Sequence, residues 1–291
     1  MRLVALFLAP PVGLALAGLL IAPPRAEYPP FTPPGYGHPL GTDDAGYDVL
    51  ALLARGGQTT LGVGLVAGTL ATAAGVLIGA SAGYWQQVDS PLMRLVELVL
   101  AFPRLPLLIL LSLFLRPTPL NAIVVLVLFG WAVVARTVRP AVAAVRAADY
   151  VLASRALGGR DVYILRRHVL PQLTALLLTQ LVLEIRFALV AESGLAFLGL
   201  TDPSVPSWGL MLAHAFNHPQ TFTGPYWQWV ALPPALSLVL VVLGLTLGML
   251  GEVPLADPRL TPRPRPTPKG EEASRAGPHR PKTPLTHAGT G

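Results

Sequence analysis

The sequence predicts an all-α protein that crosses a lipid bilayer several times, on three observations. Hydrophobic residues make up 53% of the 291 and charged residues only 12%, against about 25% charged in an ordinary soluble domain. The mean hydropathy of +0.57 comes from several separate apolar runs of spanning length, which a single soluble core does not need. The basic residues behind the net charge of +6 are gathered into two segments, and that unevenness sets sidedness in membrane proteins. An average cytosolic enzyme is excluded. The absence of cysteine excludes disulfides, thiolate metal sites and cysteine nucleophiles, and leaves the redox compartment open.

A hydrocarbon core about 30 Å thick needs roughly 20 helical residues, and six windows of that kind emerge. The first, Leu3 to Ala22, follows Arg2 as a signal peptide would, but its length and internal Pro10-Pro11 predict a retained span. The others are Thr59 to Tyr84, Leu95 to Leu115, the short Leu120 to Ala135, Leu173 to Leu198, and Trp229 to Leu250. An external loop over 23–58, a five-helix core over 59–256 and a tail over 257–291 complete the organisation.

Sidedness follows from the arginines. The segment 136–171 carries Arg136, Arg139, Arg146, Arg155, Arg160, Arg166 and Arg167, and the tail carries seven more basic residues. Basic residues stay on the cytoplasmic side, so both segments face the cytoplasm, and six spans place the N-terminus there too. On the other side Glu27, Asp43, Asp44 and Asp48 outnumber Arg25 and Arg55, and the loop 201–228 has no Lys or Arg. The tail, with eight prolines and hardly any large apolar residue, is predicted to be disordered, basic and solvated, with no nucleic-acid partner.

Three motifs suggest other chemistry and fail on context. Gly79-Ala-Ser81-Ala-Gly83 fits a serine nucleophile elbow, which needs a strand-to-helix turn; here it ends a Gly/Ala-rich span where helices approach closely. His214 and His218 stand four apart, as on a metal-binding helix, but no third ligand has suitable spacing and Pro219 follows at once. Gly62, Gly64 and Gly68 do not fit a dinucleotide fingerprint and read as packing glycines. No P-loop is present, so the chain itself should bind no nucleotide.

Charges inside spans carry more information, because one near the bilayer centre costs at least about 2.5–3.5 kcal/mol without a partner or water. Counted inward from the cytoplasmic ends, Arg104 on the third span and Glu184 on the fifth reach similar depth and form a candidate ion pair. Glu97, Arg186 and Glu192 should face the bundle or an aqueous path. Such charges either fix helix register or contact a solute, and the sequence leaves both open.

The cytoplasmic segment 136–171 is longer than the 2–8 residues typical of connections in a bundle. Val142, Val145, Leu152 and Ala156 follow helical spacing, Asp149 interrupts the stripe, Gly158 is placed to end a helix, and Pro171 restarts the chain into the next span. A short helix presenting Leu152, Ala156 and Leu157 is either a docking element for a soluble partner or a membrane-surface helix.

These residues carry a resemblance. Tyr150-Val-Leu-Ala-Ser-Arg-Ala-Leu-Gly158, followed by Pro171 in Arg167-His-Val-Leu-Pro171, resembles the EAA loop of ABC importer permeases of the dipeptide, oligopeptide and nickel family. Gly41-Thr-Asp-Asp-Ala-Gly-Tyr-Asp-Val49 is similar to the external motif of that family. Ala82-Gly-Tyr84, Met93 to Pro103, Ala196 to Leu200 with Pro206-Ser-Trp-Gly209, and Ala256 to Leu260 extend the likeness along nearly the whole chain. Leu152 stands at the family's EAA glutamate and Ser154 at its last alanine, so a docking contact through that carboxylate is absent. Tyr47 stands where an arginine is usual, and Arg104 where a small or apolar residue is expected.

The resemblance implies a type I importer permease in a bacterial or archaeal cytoplasmic membrane, without a catalytic or metal site. It would form half of a path for di- or oligopeptides, or for nickel or another small solute. Its implied partners are a homologous second permease, two cytoplasmic ATPase subunits that hold the ATP and Mg, and an external substrate-binding protein. Coupling would run through Leu152, Ala153, Ser154, Ala156, Leu157, Gly158 and Pro171. The external motif would be Gly41, Thr42, Asp43, Asp44 and Asp48. A stand-alone secondary transporter would show broken helices in paired inverted repeats, and none is apparent.

Overall fold

The computed structural model describes residues 2–21 and 24–252; the expected tail and the Ala256 to Leu260 motif lie outside them. Helix α1 (Arg2–Ala17) continues through Pro10 and Pro11 and packs against the last helix and against α2 (Val49–Tyr84). At 36 residues α2 is about 54 Å long, well beyond a hydrocarbon core. It begins at Val49, not at Thr59, because Asp48 caps it by accepting a bond from the Leu50 N–H at 3.0 Å. Arg55 and Gln58 read as a polar break, yet both sit inside the helix. The Arg55 Nη2 donates to the Ile21 carbonyl at 3.1 Å and the Gln58 Nε2 to the Ala15 carbonyl at 2.9 Å.

The expected third span is two helices, α3 (Gln86–Leu100) and α4 (Arg104–Phe114), bent by 79°. Pro103 causes the break: it has no N–H to donate, and it drives Phe102 away from helical geometry. The expected fourth span is longer than its apolar run, since α5 runs Pro119–Arg146 through Arg136, Arg139 and Pro140. Val134, Val138 and Val142, all fully buried, keep that stretch helical by packing on α2. The first part of the expected cytoplasmic loop is therefore the C-terminal end of α5.

A short α6 (Asp149–Ala156) follows, then α7 (Asp161–Ile164), a π-turn at Leu165–Val169, a 3₁₀ turn at Leu170–Leu173 and α8 (Thr174–Phe197). Helical structure thus enters the fifth span from Asp161, ahead of the expected Leu173. Pro171 lies in the 3₁₀ turn, where its missing N–H interrupts the α ladder without ending the helical path. The expected external loop 201–228 is largely helical, with α9 (Trp208–Asn217), α10 (Gln220–Thr223) and α11 (Trp227–Val230) ahead of α12 (Leu232–Glu252).

Among the described residues four helices are long and apolar enough to cross a membrane, five if α3 and α4 count as one bent span, and α1 is a shorter apolar helix. Their regular structure is all helical, with only isolated β-bridges in the segment ahead of α2.

Helix α2 is the centre of the bundle. A Cβ on Gly68 would stand 2.6 Å from the backbone N and Cα of Ile185 in α8, and one on Gly79 2.7 Å from the Ala135 carbonyl oxygen in α5. Gly64 packs in the same way on Leu189, and Gly75 and Gly83 on Val134 and Val142. Gly62 has nothing within 4 Å, so it is not the packing glycine its sequence context suggests. Replacing Gly68 with leucine should therefore cost about 1–3 kcal/mol or more by overpacking, read as a lower unfolding temperature in detergent. Gly62→Ala should hold or raise that temperature, because alanine gains up to about 1 kcal/mol in a helix.

Candidate functional site

At the N-terminal end of α2 the chain folds into a knot. Gly41 (φ +76°) turns beneath Trp229, where a Cβ would stand 2.7 Å from the Thr32 carbonyl oxygen and 2.8 Å from the indole. Thr42, fully buried, accepts from the Thr32 N–H and donates to the Pro29 carbonyl, both at 2.8 Å. Asp43 Oδ1 accepts from the Ala45 and Tyr47 N–H groups at 3.0 and 2.8 Å, and Asp48 caps the helix. Each of these four residues is therefore used by the knot itself.

Asp44 is different. Its Oδ2 lies 3.6 Å from His214 Nδ1 and 3.4 Å from His218 Nδ1, so one carboxylate joins the knot to the C-terminal end of α9. Contact with Asp44, against burial, holds the His214 imidazole protonated above its usual range, with the charges of Asp44 and Asp43 acting in the same direction. Burial alone would raise the Asp44 carboxyl, but the His214 contact and the two imidazole charges hold it below the usual carboxylate range. Among the described residues no three His, Asp or Glu converge on a position for a metal ion.

Within the bundle Arg104 and Glu184 meet. The guanidinium Nη2 lies 2.6 Å from Oε2 and Nη1 3.3 Å from Oε1, a two-pronged pair with Glu184 4% exposed. The Phe187 ring lies 3.4 Å beneath the guanidinium carbon, adding a cation–π contact. Gly130 of α5 makes the room, since a Cβ there would come 3.1 Å from both Arg104 Nη2 and Glu184 Oε2. Arg104 is the first residue of α4, so the pair ties the broken span to α8 just past its bend.

The other intramembrane charges go elsewhere. Arg186 Nη1 donates to the Thr246 hydroxyl at 3.2 Å. Glu192, 2% exposed, accepts from the Ser193 hydroxyl at 3.3 Å, with the Thr60 and Ser207 side chains against it. Glu97 is exposed on α3 and lines a cleft of about 670 Å³ with Arg94, Arg136 and Arg139.

At the C-terminal end of α2, α6 stands beyond the bundle. Val151 is fully buried, whereas Leu152 is 49% and Leu157 88% exposed, and Ala153 and Ala156 are exposed beside them. Gly158 ends the helix at φ +86°, with its N–H donated to the Arg155 carbonyl and the Gly159 N–H to Ser154. Pro171 is exposed, away in the 3₁₀ turn.

Three residues not singled out from the sequence as site residues fasten this element. Tyr84, the last residue of α2, donates to Asp161 Oδ1 at 2.9 Å and accepts from Arg155 Nη2 at 3.0 Å, while Arg155 and Asp161 lie 3.3 Å apart. Arg139 likewise grips Asp89 through Nε at 2.7 Å, joining α5 to α3. Tyr84 lies in one of the quoted motifs, but its partner is 77 positions away, and no local pattern points to it.

Residues 71–261 match the family described as the binding-protein-dependent transport system inner membrane component. A Brucella suis protein named as a peptide transport system permease is 34% identical over 231 residues, covering 79% of this chain and 76% of its own length. The dipeptide transport system permease protein DppC of Bacillus subtilis is 35% identical over 198 residues, 67% of this chain and 61% of its own. Inward-facing structures of the MetNI methionine ABC transporter include a chain alike in fold, with a TM-score of 0.55 at 19% identity, covering 70% of this chain and 97% of that one.

Reversing Arg104 or Glu184 alone should cost about 3–5 kcal/mol, because it leaves a buried charge facing its like. The double reversal should recover most of that loss in monodisperse yield and unfolding temperature. A second expectation concerns pH. The His214 stabilisation is complete below the usual histidine range and is lost as pH rises through its raised value, whereas the Asp44 contribution is lost as pH falls through its lowered one. Unfolding temperature should therefore decline as pH rises through the raised His214 range, and His214→Gln should flatten that decline.

Proposed function

The chain belongs to the family of binding-protein-dependent transport system inner membrane components, and we propose that it is the permease subunit of an ATP-driven importer of di- or oligopeptides. In this reading it forms half of the translocation path beside a homologous second permease. Two cytoplasmic ATPase subunits hold the ATP and Mg, and an external binding protein delivers the cargo. The protein resides in a bacterial or archaeal cytoplasmic membrane with both termini inside, and α1 serves as the first of six spans. Peptide is preferred to nickel because the relatives above are named for peptide and dipeptide transport.

The observation that carries the coupling role is the anchored, outward-facing α6. Its exposed Leu152 and Leu157 suit an apolar pocket on an ATPase, in keeping with leucine in place of the glutamate. Its buried side and Arg155 bind it to the end of α2. An element that moves with ATPase closure and is hydrogen-bonded to the central helix transmits that motion into the bundle through contiguous contacts. The Arg104–Glu184 pair, set beside the bend, would hold the broken span in register while α2 and α8 shift.

Co-expression with neighbouring genes and purification in mild detergent should recover two ATPases and a second permease with this chain; repeated recovery of the folded chain alone would overturn the assembly. In that complex Leu157→Asp or Gly158→Val should reduce peptide uptake at least tenfold and abolish substrate-stimulated ATP hydrolysis, with the basal rate retained. Undiminished uptake in both variants would remove α6 from the coupling path.

A further inference from the structure

A second cavity, of about 600 Å³, opens at the outer face between the start of α2, the knot and the N-terminal end of α9. Its walls are mainly apolar, with Leu52 from α2 and Leu210, Met211 and Val230 from the outer helices, and Tyr47 at its edge. The few polar groups are mostly of one sign. Arg55 reaches in from α2 with only Nη2 committed, to the Ile21 carbonyl, and its buried Nε has no partner among the described residues. His214, whose protonated form the contact with Asp44 favours, lines the same space. The capped N-terminus of α9 at Ser207 and Leu210 adds a positive helix end.

The one acidic lining residue is Asp43. Its Oδ1 is taken by two backbone N–H groups, and burial pushes its carboxyl up. A chamber of this volume with apolar walls and a few convergent polar groups is the usual form of a small-molecule site. A half-buried arginine with no carboxylate partner among the described residues is the group that such a site uses for a planar anion.

We propose that this outer cavity binds a carboxylate carried on a compact apolar body, with Arg55 seating the carboxylate and the Leu52, Met211 and Tyr47 walls taking the body. The site is separate from the coupling face and from the Arg104–Glu184 pair, and it does not depend on the transport reading. Tyr47, where the related external motif has an arginine, supplies an aromatic edge in place of another charge. The carboxylate belongs either to a free organic acid or to the C-terminus of a short peptide, and both present the same chemistry to Arg55.

The test is calorimetric titration of the full chain, purified in detergent with whatever subunits accompany it. N-acetyl-leucine is compared with its amide, which keeps the apolar body and removes the charge. The acid should bind saturably and at least tenfold more tightly than the amide. Arg55→Gln should weaken it at least tenfold, while Arg116→Gln, an external cation outside the cavity, should leave it unchanged. Affinity should fall as pH rises and His214 loses its proton. If Arg55→Gln does not fold, Ser204→Trp, at an exposed lining position, should block binding while the unfolding temperature holds. Leucyl-leucine binding as tightly as N-acetyl-leucine assigns a peptide terminus, and binding of N-acetyl-leucine alone assigns a free acid. Equal affinity for acid and amide, undiminished binding by both variants, or saturable binding by no probe would overturn the proposal.

Discussion

Everything in this bundle depends on two helix backbones being able to lie almost in contact with a third. Where α2 crosses α8 at Gly68 and α5 at Gly79, the separation leaves no room for a single methyl group. In lipid the hydrophobic effect does not drive one apolar helix onto another, so association rests on close packing and on hydrogen bonds that hydrocarbon cannot replace. Small residues along two faces of α2 supply the first. The second comes from the forked Arg104–Glu184 pair and the Asp89–Arg139 grip, each joining two elements, and from the Tyr84 cluster, which joins three.

With its two neighbours fixed, α2 behaves as a rod whose ends are both engaged. At its N-terminal end Asp48 caps it, Thr60 accepts the Trp208 N–H and the Leu53 carbonyl accepts the indole N–H. At its C-terminal end Tyr84 carries α6 and α7. One unbroken helix therefore links the knot to the exposed leucines of α6, whereas the neighbouring span is interrupted at Pro103. Rigidity in one element and a bend in the next is the combination from which a two-state machine is built.

Much of this was legible in the residues, and the exceptions share a physical cause. Apolar runs located the four membrane-length helices and the bent pair, the depth of Arg104 and Glu184 placed them opposite one another, and Gly158 marked the end of α6. The boundaries failed wherever a polar residue inside a helix found a partner from another element. Arg55 and Gln58 looked like loop, and so did Arg136 and Arg139; the contacts that keep the first two and Arg139 in helices come from distant segments. The bend at Pro103 was hidden in a run of suitable length, and the helices of 201–228 in a stretch with little charge pattern. The triad at Tyr84 was the least accessible, since phenol, guanidinium and carboxylate come from three elements and none is unusual where it stands.

The buried Trp208 carries a consequence for the order in which the molecule is made. Its backbone and indole N–H groups bond to Thr60 and Leu53, 148 and 155 positions earlier in the chain. Loops of that length close slowly, and synthesis proceeds from the N-terminus. The N-terminal end of α2 therefore waits, unclosed, until α8 and then α9 have been made. That clasp forms late in synthesis, and a chain halted before Trp208 lacks it.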